Sequence, residues 1–99
     1  KKIKKTAPFD LTWFILVSDN SRLKHFTSTK NSRLPNKNDK RLDRKSQEEC
    51  AQSCESETKF PCRSFDYDKQ KKMCYLSKIT ANEIPLETAK SYDYYEMSK

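Results

Sequence analysis

The sequence predicts a small α+β domain in which one short helix packs on antiparallel strands and disulfides support a thin core. Three observations predict this class: a capped helix pattern at 46–56, two strand patterns around a turn at 62–77, and four cysteines confined to residues 50–74. Only 33% of the 99 residues are hydrophobic. A core drawn from so few apolar residues usually needs covalent support.

The amino-terminal half gives weak structural signals. We expect a basic tail at residues 1–10 and a single module at residues 11–99. "LTWFILVS" (11–18) is rich in β-branched and aromatic residues, which favours a strand, and "LKHFTST" (23–29) alternates as a weaker one. Residues 30–45 hold no periodic apolar residue and are predicted to be an exposed loop.

The helix signal is a capping box. Ser46 is followed three residues later by Glu49, and each side chain can bind a free backbone N–H of the first turn. The predicted helix spans 46–56, and Cys50 and Cys54 lie on one of its faces because they are four residues apart.

Three strands are predicted after the helix, at 62–68, 73–77 and 91–97, and the first two form a hairpin. A regular strand would point Cys62 and Phe65 to opposite faces. If both face the helix, the strand must begin after Cys62 or contain a bulge.

The cysteines are interpreted as disulfides that clamp the helix on the hairpin, each contributing about 2–4 kcal/mol. Zinc is disfavoured because eleven residues separate the second pair of cysteines. A reactive thiol is disfavoured because His25 is remote in sequence and no Cys-x-x-Cys occurs. Spacing alone leaves three possible pairings.

The cysteine pattern Cys-x3-Cys-x7-Cys-x11-Cys, with "CRSFDYD" and "CYLS" at the third and fourth cysteines, resembles a PAN/apple module of the plasminogen and growth-factor type. The ending "SYDYYEMSK" is similar to the last strand of such modules, and the resemblance is best over 46–99. It implies an antiparallel sheet of about five strands cradling one helix, with Cys50 paired to Cys74 and Cys54 to Cys62. It also implies a secreted or extracellular location, where the module can belong to the ectodomain of a larger protein.

The net charge of +7 is unevenly distributed. Residues 1–45 carry 13 Lys and Arg against 4 Asp and Glu, whereas residues 46–99 carry 8 against 10. The basic residues of the predicted loop are Lys30, Arg33, Lys37, Lys40, Arg41, Arg44 and Lys45. Clustered cations bind polyanions because each neutralised sulfate or phosphate releases counterions. Outside a cell, the expected polyanion is heparan sulfate.

The resemblance to PAN modules agrees with heparan sulfate binding in one respect and disagrees with it in another. Some PAN modules bind heparan sulfate through basic residues just before and on the helix. Lys40, Arg41, Arg44 and Lys45 match the first part, but the helix carries Glu48, Glu49, Glu55 and Glu57. The alternative is a charged loop that only keeps the protein soluble.

The second hypothesis is docking on a partner protein or neighbouring domain through exposed tyrosines. Tyr92 and Tyr94 alternate onto one face of the last strand and Tyr95 onto the other, so at least one of them should lie in the core.

Other function classes are disfavoured. The chain has one histidine, and Asp66 and Asp68 are interpreted as solvated acids at a hairpin tip, so no enzyme, metal or cofactor is expected. Nucleic-acid binding does not fit a disulfide-bonded protein without a recognised motif. Membrane insertion is not expected, because the best apolar run, residues 13–17, has five residues and a membrane span needs about 20.

Overall fold

A computed structural model describes residues 22–35 and 38–98, which form one antiparallel sheet with a helix on one face. The predicted tail, the predicted strand at 11–18 and Lys37 lie outside the described residues. A short 3₁₀ helix, Leu23–His25, comes first. The other elements follow in chain order: β1 Phe26–Arg33, β2 Lys40–Leu42, α1 Gln47–Ser56, β3 Ser64–Asp68, β4 Met73–Ser77 and β5 Glu87–Met97.

The strand order in the sheet is β1-β5-β3-β4-β2, and every neighbouring pair is antiparallel. The predicted α+β class with about five strands and one helix is therefore confirmed. The turn between β3 and β4 lies at one end of the sheet, which we call the turn end. At the opposite end, Ser64 of β3 pairs with Ser77 of β4.

Helix α1 begins as the capping box predicts. The Ser46 Oγ accepts a hydrogen bond from the Glu49 N–H at 3.1 Å, and the Glu49 carboxylate accepts one from the Ser46 N–H at 2.8 Å. The helix face that carries Cys50, Ala51 and Cys54 is buried against the sheet. The expected shared face of the two cysteines is confirmed.

Two disulfides fasten this helix to the hairpin. Cys50 is bonded to Cys74 in β4, and Cys54 is bonded to Cys62 just before β3. This is the pairing that the resemblance implied. Every cysteine sulfur is bonded to another cysteine sulfur, so no thiolate is left to ligate zinc or to act as a nucleophile.

The core lies between α1 and the sheet. β3 starts at Ser64, so Cys62 lies outside the regular strand, and Phe65 and Tyr67 can both face the core. The Phe65 ring stacks on Tyr95 with centroids 4.7 Å apart and meets the edge of Phe26 at 5.2 Å. The buried cluster comprises Phe26, Cys50, Ala51, Cys54, Cys62, Phe65, Tyr67, Cys74, Leu76 and Tyr95.

The segment 23–45 differs from the sequence prediction. Leu23–His25 is a 3₁₀ helix and not the start of a strand, and the predicted loop at 30–45 contributes the end of β1 and all of β2. Edge strand β2 is ordered by its pairing with β4, so it needs no apolar periodicity of its own.

A bulge interrupts the pairing of β1 with β5 after Lys30. Asn31 of β1 lies there opposite residues 89–92 of β5, and its positive φ of 54° is one that an asparagine tolerates well. β5 itself begins at Glu87, four residues before the predicted start.

Candidate functional site

Two basic segments that are distant in sequence meet at the turn end of the sheet. β2 pairs with β4, which places residues 43–45 beside the turn at 69–72. The Lys45 N–H donates to the Lys72 carbonyl at 2.8 Å, and the Tyr67 hydroxyl donates to the Lys45 carbonyl at 2.7 Å. These bonds fix the backbone of both segments.

An open depression of about 410 Å³ lies on this junction, and we call it the basic depression. Its lining residues are Arg41, Asp43, Arg44, Lys71, Met73 and Tyr75. Arg41 shares a sheet face with Tyr75, because the two are paired across β2 and β4. The acid in the lining, Asp43, lies 3.9 Å from Arg41, and both side chains are about two-thirds exposed. Three cations therefore face one carboxylate, and solvent screens that pair strongly.

Three other basic residues of the predicted set are held by acids elsewhere. Lys30 lies 3.6 Å from the Asp93 carboxylate, Lys40 lies 3.0 Å from Glu57, and Arg33 forms an ion pair with Glu87. None of the three lines the basic depression. The structure thus brings Arg41 and Arg44 together with the backbone of Lys45 and separates them from Lys30, Arg33 and Lys40.

Lys71 is the basic residue of this lining that the sequence analysis does not identify. The sequence predicts the run "KQKK" (69–72) only as the turn of the hairpin, although three of its four residues are lysines. The feature that could have indicated a role in binding is the positive charge of this run. Its position beside residues 41–45 depends on the pairing of β2 with β4, which the sequence does not predict. Lys69 of the same run instead lies 3.2 Å from Asp93.

Most of the helix acids have partners away from the basic depression. Both Arg22 and His25 bond the Glu55 carboxylate. Burial alone would raise the pKa of Glu55, but these two hydrogen bonds outweigh it and hold the pKa below its usual range. The Lys40 hydrogen bond likewise lowers the pKa of Glu57. Since Glu49 belongs to the capping box, at least three of the four helix acids have structural partners.

The three tyrosines of the docking hypothesis are not equally exposed. Tyr94 is 2% exposed and Tyr95 is 5% exposed, so the expectation of an exposed surface is wrong for both. Tyr95 stacks in the core, and the Tyr94 hydroxyl binds the Ala81 N–H and the Glu96 carboxylate on the opposite face. Tyr92 is half-buried and can still contact a partner.

The interpretation of Asp66 and Asp68 as solvated turn acids is also wrong. Asp66 is 4% exposed and Asp68 is 3% exposed, because segments outside β3 cover this face of the sheet. The Asp68 carboxylate accepts hydrogen bonds from the Gln70 and Lys71 N–H groups and thereby shapes the turn. Asp66 accepts one from the Leu34 N–H at 3.0 Å. Burial raises the pKa of Asp66 to about 7, although that bond and Arg33 oppose the shift.

The sequence profile described as the PAN domain matches residues 21–98, which is most of the chain. This chain belongs to the PAN family. PAN domains are protein- and carbohydrate-binding modules that occur in extracellular proteins, so the assignment supports a binding role without catalysis. The two disulfides of this PAN domain fit an oxidising, extracellular environment. Within the described ranges, no helix is long and apolar enough to cross a membrane.

Proposed function

We propose that this PAN domain binds a sulfated glycosaminoglycan of the heparan sulfate type, outside the cell and without catalysing a reaction. The observation that carries the proposal is the meeting of Arg41, Arg44 and Lys71 in one exposed depression. Lys45 and Lys72 extend the positive charge, because their backbones are hydrogen-bonded to each other beside it.

The chemistry of the site suits sulfate groups. A guanidinium presents several N–H donors in a plane, which matches the oxygen pairs of a sulfate or carboxylate. Each cation that meets a sulfate releases condensed counterions, so the affinity should depend steeply on salt concentration. The depression is wide and open, as binding to a chain rather than a small molecule requires.

The backbone of the site adds support. Arg44 and Lys72 have positive φ angles of 56° and 57°, where glycine has no steric penalty and other residues do. This chain contains no glycine and places cations at both positions. Two residues in sparsely populated conformations thus lie beside one candidate site.

Chromatography on heparin and on a plain sulfonate resin tests the proposal. The site variant is Arg41→Gln, Arg44→Gln, Lys71→Gln, and the matched control is Lys24→Gln, Lys59→Gln, Lys78→Gln. The control removes the same charge from exposed residues that do not line the depression. We expect the unmodified protein to need more salt on heparin than on sulfonate. The site variant should lose most of that excess, and the control should keep it.

Two results would contradict the proposal. If both triple variants lost the excess equally, net charge would explain the binding. If the unmodified protein eluted at the same salt from both resins, the glycan site would be excluded. Docking on a protein partner through Tyr92 would then become the preferred hypothesis.

A further inference from the structure

A second, smaller cavity lies on the face of the sheet that is opposite to the helix. Its volume is about 130 Å³, and its lining residues are Arg33, Leu34, Asn38, Asp66, Tyr75 and Tyr92. We call it the Asp66 cavity. The carboxyl group of Asp66 is almost fully buried, and the Leu34 N–H bonds one of its oxygens. The rings of Tyr75 and Tyr92, with centroids 6.1 Å apart, form aromatic walls.

Among the residues that the structure describes, the charges around this cavity do not balance. Arg33 brings one positive charge, but its Nε donates to the Glu87 carboxylate and its guanidinium lies over Tyr92, 5.3 Å from the ring centroid. Among the described residues, no Lys, Arg or His lies within ion-pair distance of Asp66. A buried carboxylate is unfavourable when it has no counter-ion, and the described residues supply none within ion-pair distance of Asp66. One added cation would therefore be stabilised in this cavity.

We propose that the Asp66 cavity binds a primary ammonium group, such as that of a lysine side chain or a small alkylamine. An ammonium donates three hydrogen bonds, which suits the carboxyl oxygen of Asp66 that does not accept from Leu34, and its charge is attracted to an aromatic ring such as that of Tyr75. At about 30 Å³ per water-sized group, 130 Å³ holds about four heavy atoms. That number matches an ammonium nitrogen and the three carbons that precede it.

The preference for an ammonium group separates this site from the basic depression, which attracts anions. The two cavities share Tyr75 as a wall, but their charged residues differ. The inference therefore stands independently of the proposed glycan binding, and either can fail alone.

Titration of the ¹⁵N-labelled protein with n-propylamine and with Nα-acetyl-lysine N-methylamide tests the inference. Four heavy atoms support only weak binding, with a Kd on the order of 1 mM. We expect saturable shifts of the Leu34 amide and of the Tyr75 and Tyr92 ring signals. Binding of both probes would indicate a site for small amines, and binding of the lysine derivative alone would indicate a site for a lysine of a partner protein.

The requirement for an ammonium group is checked with the same lysine derivative acetylated at its Nε atom. This compound is neutral and should not shift these signals. Asp66→Asn should weaken binding at least tenfold, since the amide can still accept from Leu34 but carries no charge. The matched control Asp43→Asn removes an exposed carboxylate and should leave the affinity unchanged.

The affinity should also depend on pH. Within the described residues, the ionisable groups that face Asp66 from neighbouring elements are Arg33, Tyr75, Glu87, Tyr92 and Tyr94. Because the pKa of Asp66 is about 7, its ionised fraction is about tenfold greater at pH 8 than at pH 6, and the apparent affinity should rise by the same factor. Equal shifts with the acetylated probe, no saturation with either amine, or tighter binding at pH 6 would overturn the inference.

Discussion

The backbone N–H of Lys45 donates to the carbonyl of Lys72 at 2.8 Å, and this bond joins two basic segments into one surface. The first segment ends the connection from β2 to the helix, and the second is the turn between β3 and β4. Either segment alone would be a short run of exposed basic residues whose charges are screened by solvent. Because the two segments lie side by side, Arg41, Arg44 and Lys71 line one depression. This depression is the candidate glycan site of the PAN domain.

The two disulfides should differ in their contribution to stability. The Cys50–Cys74 bond spans 24 residues and the Cys54–Cys62 bond spans 8. Loop-closure entropy then gives about 3.5 kcal/mol for the first and about 2.5 kcal/mol for the second. Urea unfolding of the two paired Cys→Ala variants should show the Cys50–Cys74 variant to be the less stable. The reverse order would mean that native packing, and not chain entropy, dominates.

The helix cap should be worth about 1 kcal/mol. Ser46→Ala removes the acceptor for the Glu49 N–H and leaves that donor without its cap. The midpoint of chemical unfolding should fall accordingly. Ser53→Ala, within the same helix, is the control and should leave stability unchanged or slightly higher. An equal loss in both variants would show that the cap contributes nothing specific.

Asp66 should make the protein less stable as the pH rises. Its pKa is raised from 3.8 to about 7, so between these values the folded state holds a proton that the unfolded state has lost. The stabilisation from this group is complete below pH 4 and is lost as the pH rises through 7.

The variant Asp66→Asn isolates that effect. Between pH 5 and pH 8, its free energy of unfolding should gain about 2–3 kcal/mol relative to the unmodified protein. Acids whose pKa values are lowered, such as Glu55 and Asp93, act with the opposite sign but are present in both proteins. A constant difference between the two proteins across this range would contradict the assignment.

Local sequence patterns are enough to predict the helix, the hairpin and the class of the fold. The capping box of Ser46 and Glu49 and the spacing of Cys50 and Cys54 act over four residues or fewer, so they can be read from the sequence. β4 was predicted with its observed bounds because its residues favour strands by themselves. The disulfide pairing came from the family resemblance and not from spacing.

The remaining features depend on contacts between distant segments. β2 exists because it pairs with β4, and Asp66 is buried although its alternation with Phe65 and Tyr67 places it on the sheet face opposite the helix. Lys71 joined the site through the same pairing. Hydrophobic periodicity predicts none of these three features, because each depends on the pairing of segments that are distant in sequence. The division into a tail at residues 1–10 and a module from residue 11 stays a prediction.

The measurement that tests the central claim most directly is a ¹⁵N chemical-shift map of this PAN domain titrated with a heparin oligosaccharide of defined length. We predict that the largest shifts fall on the amides of residues 41–45 and 69–73 and weaken as salt is added. Shifts centred on Lys24, Lys59 and Lys78, or spread evenly over all lysines, would contradict a glycan site in the basic depression.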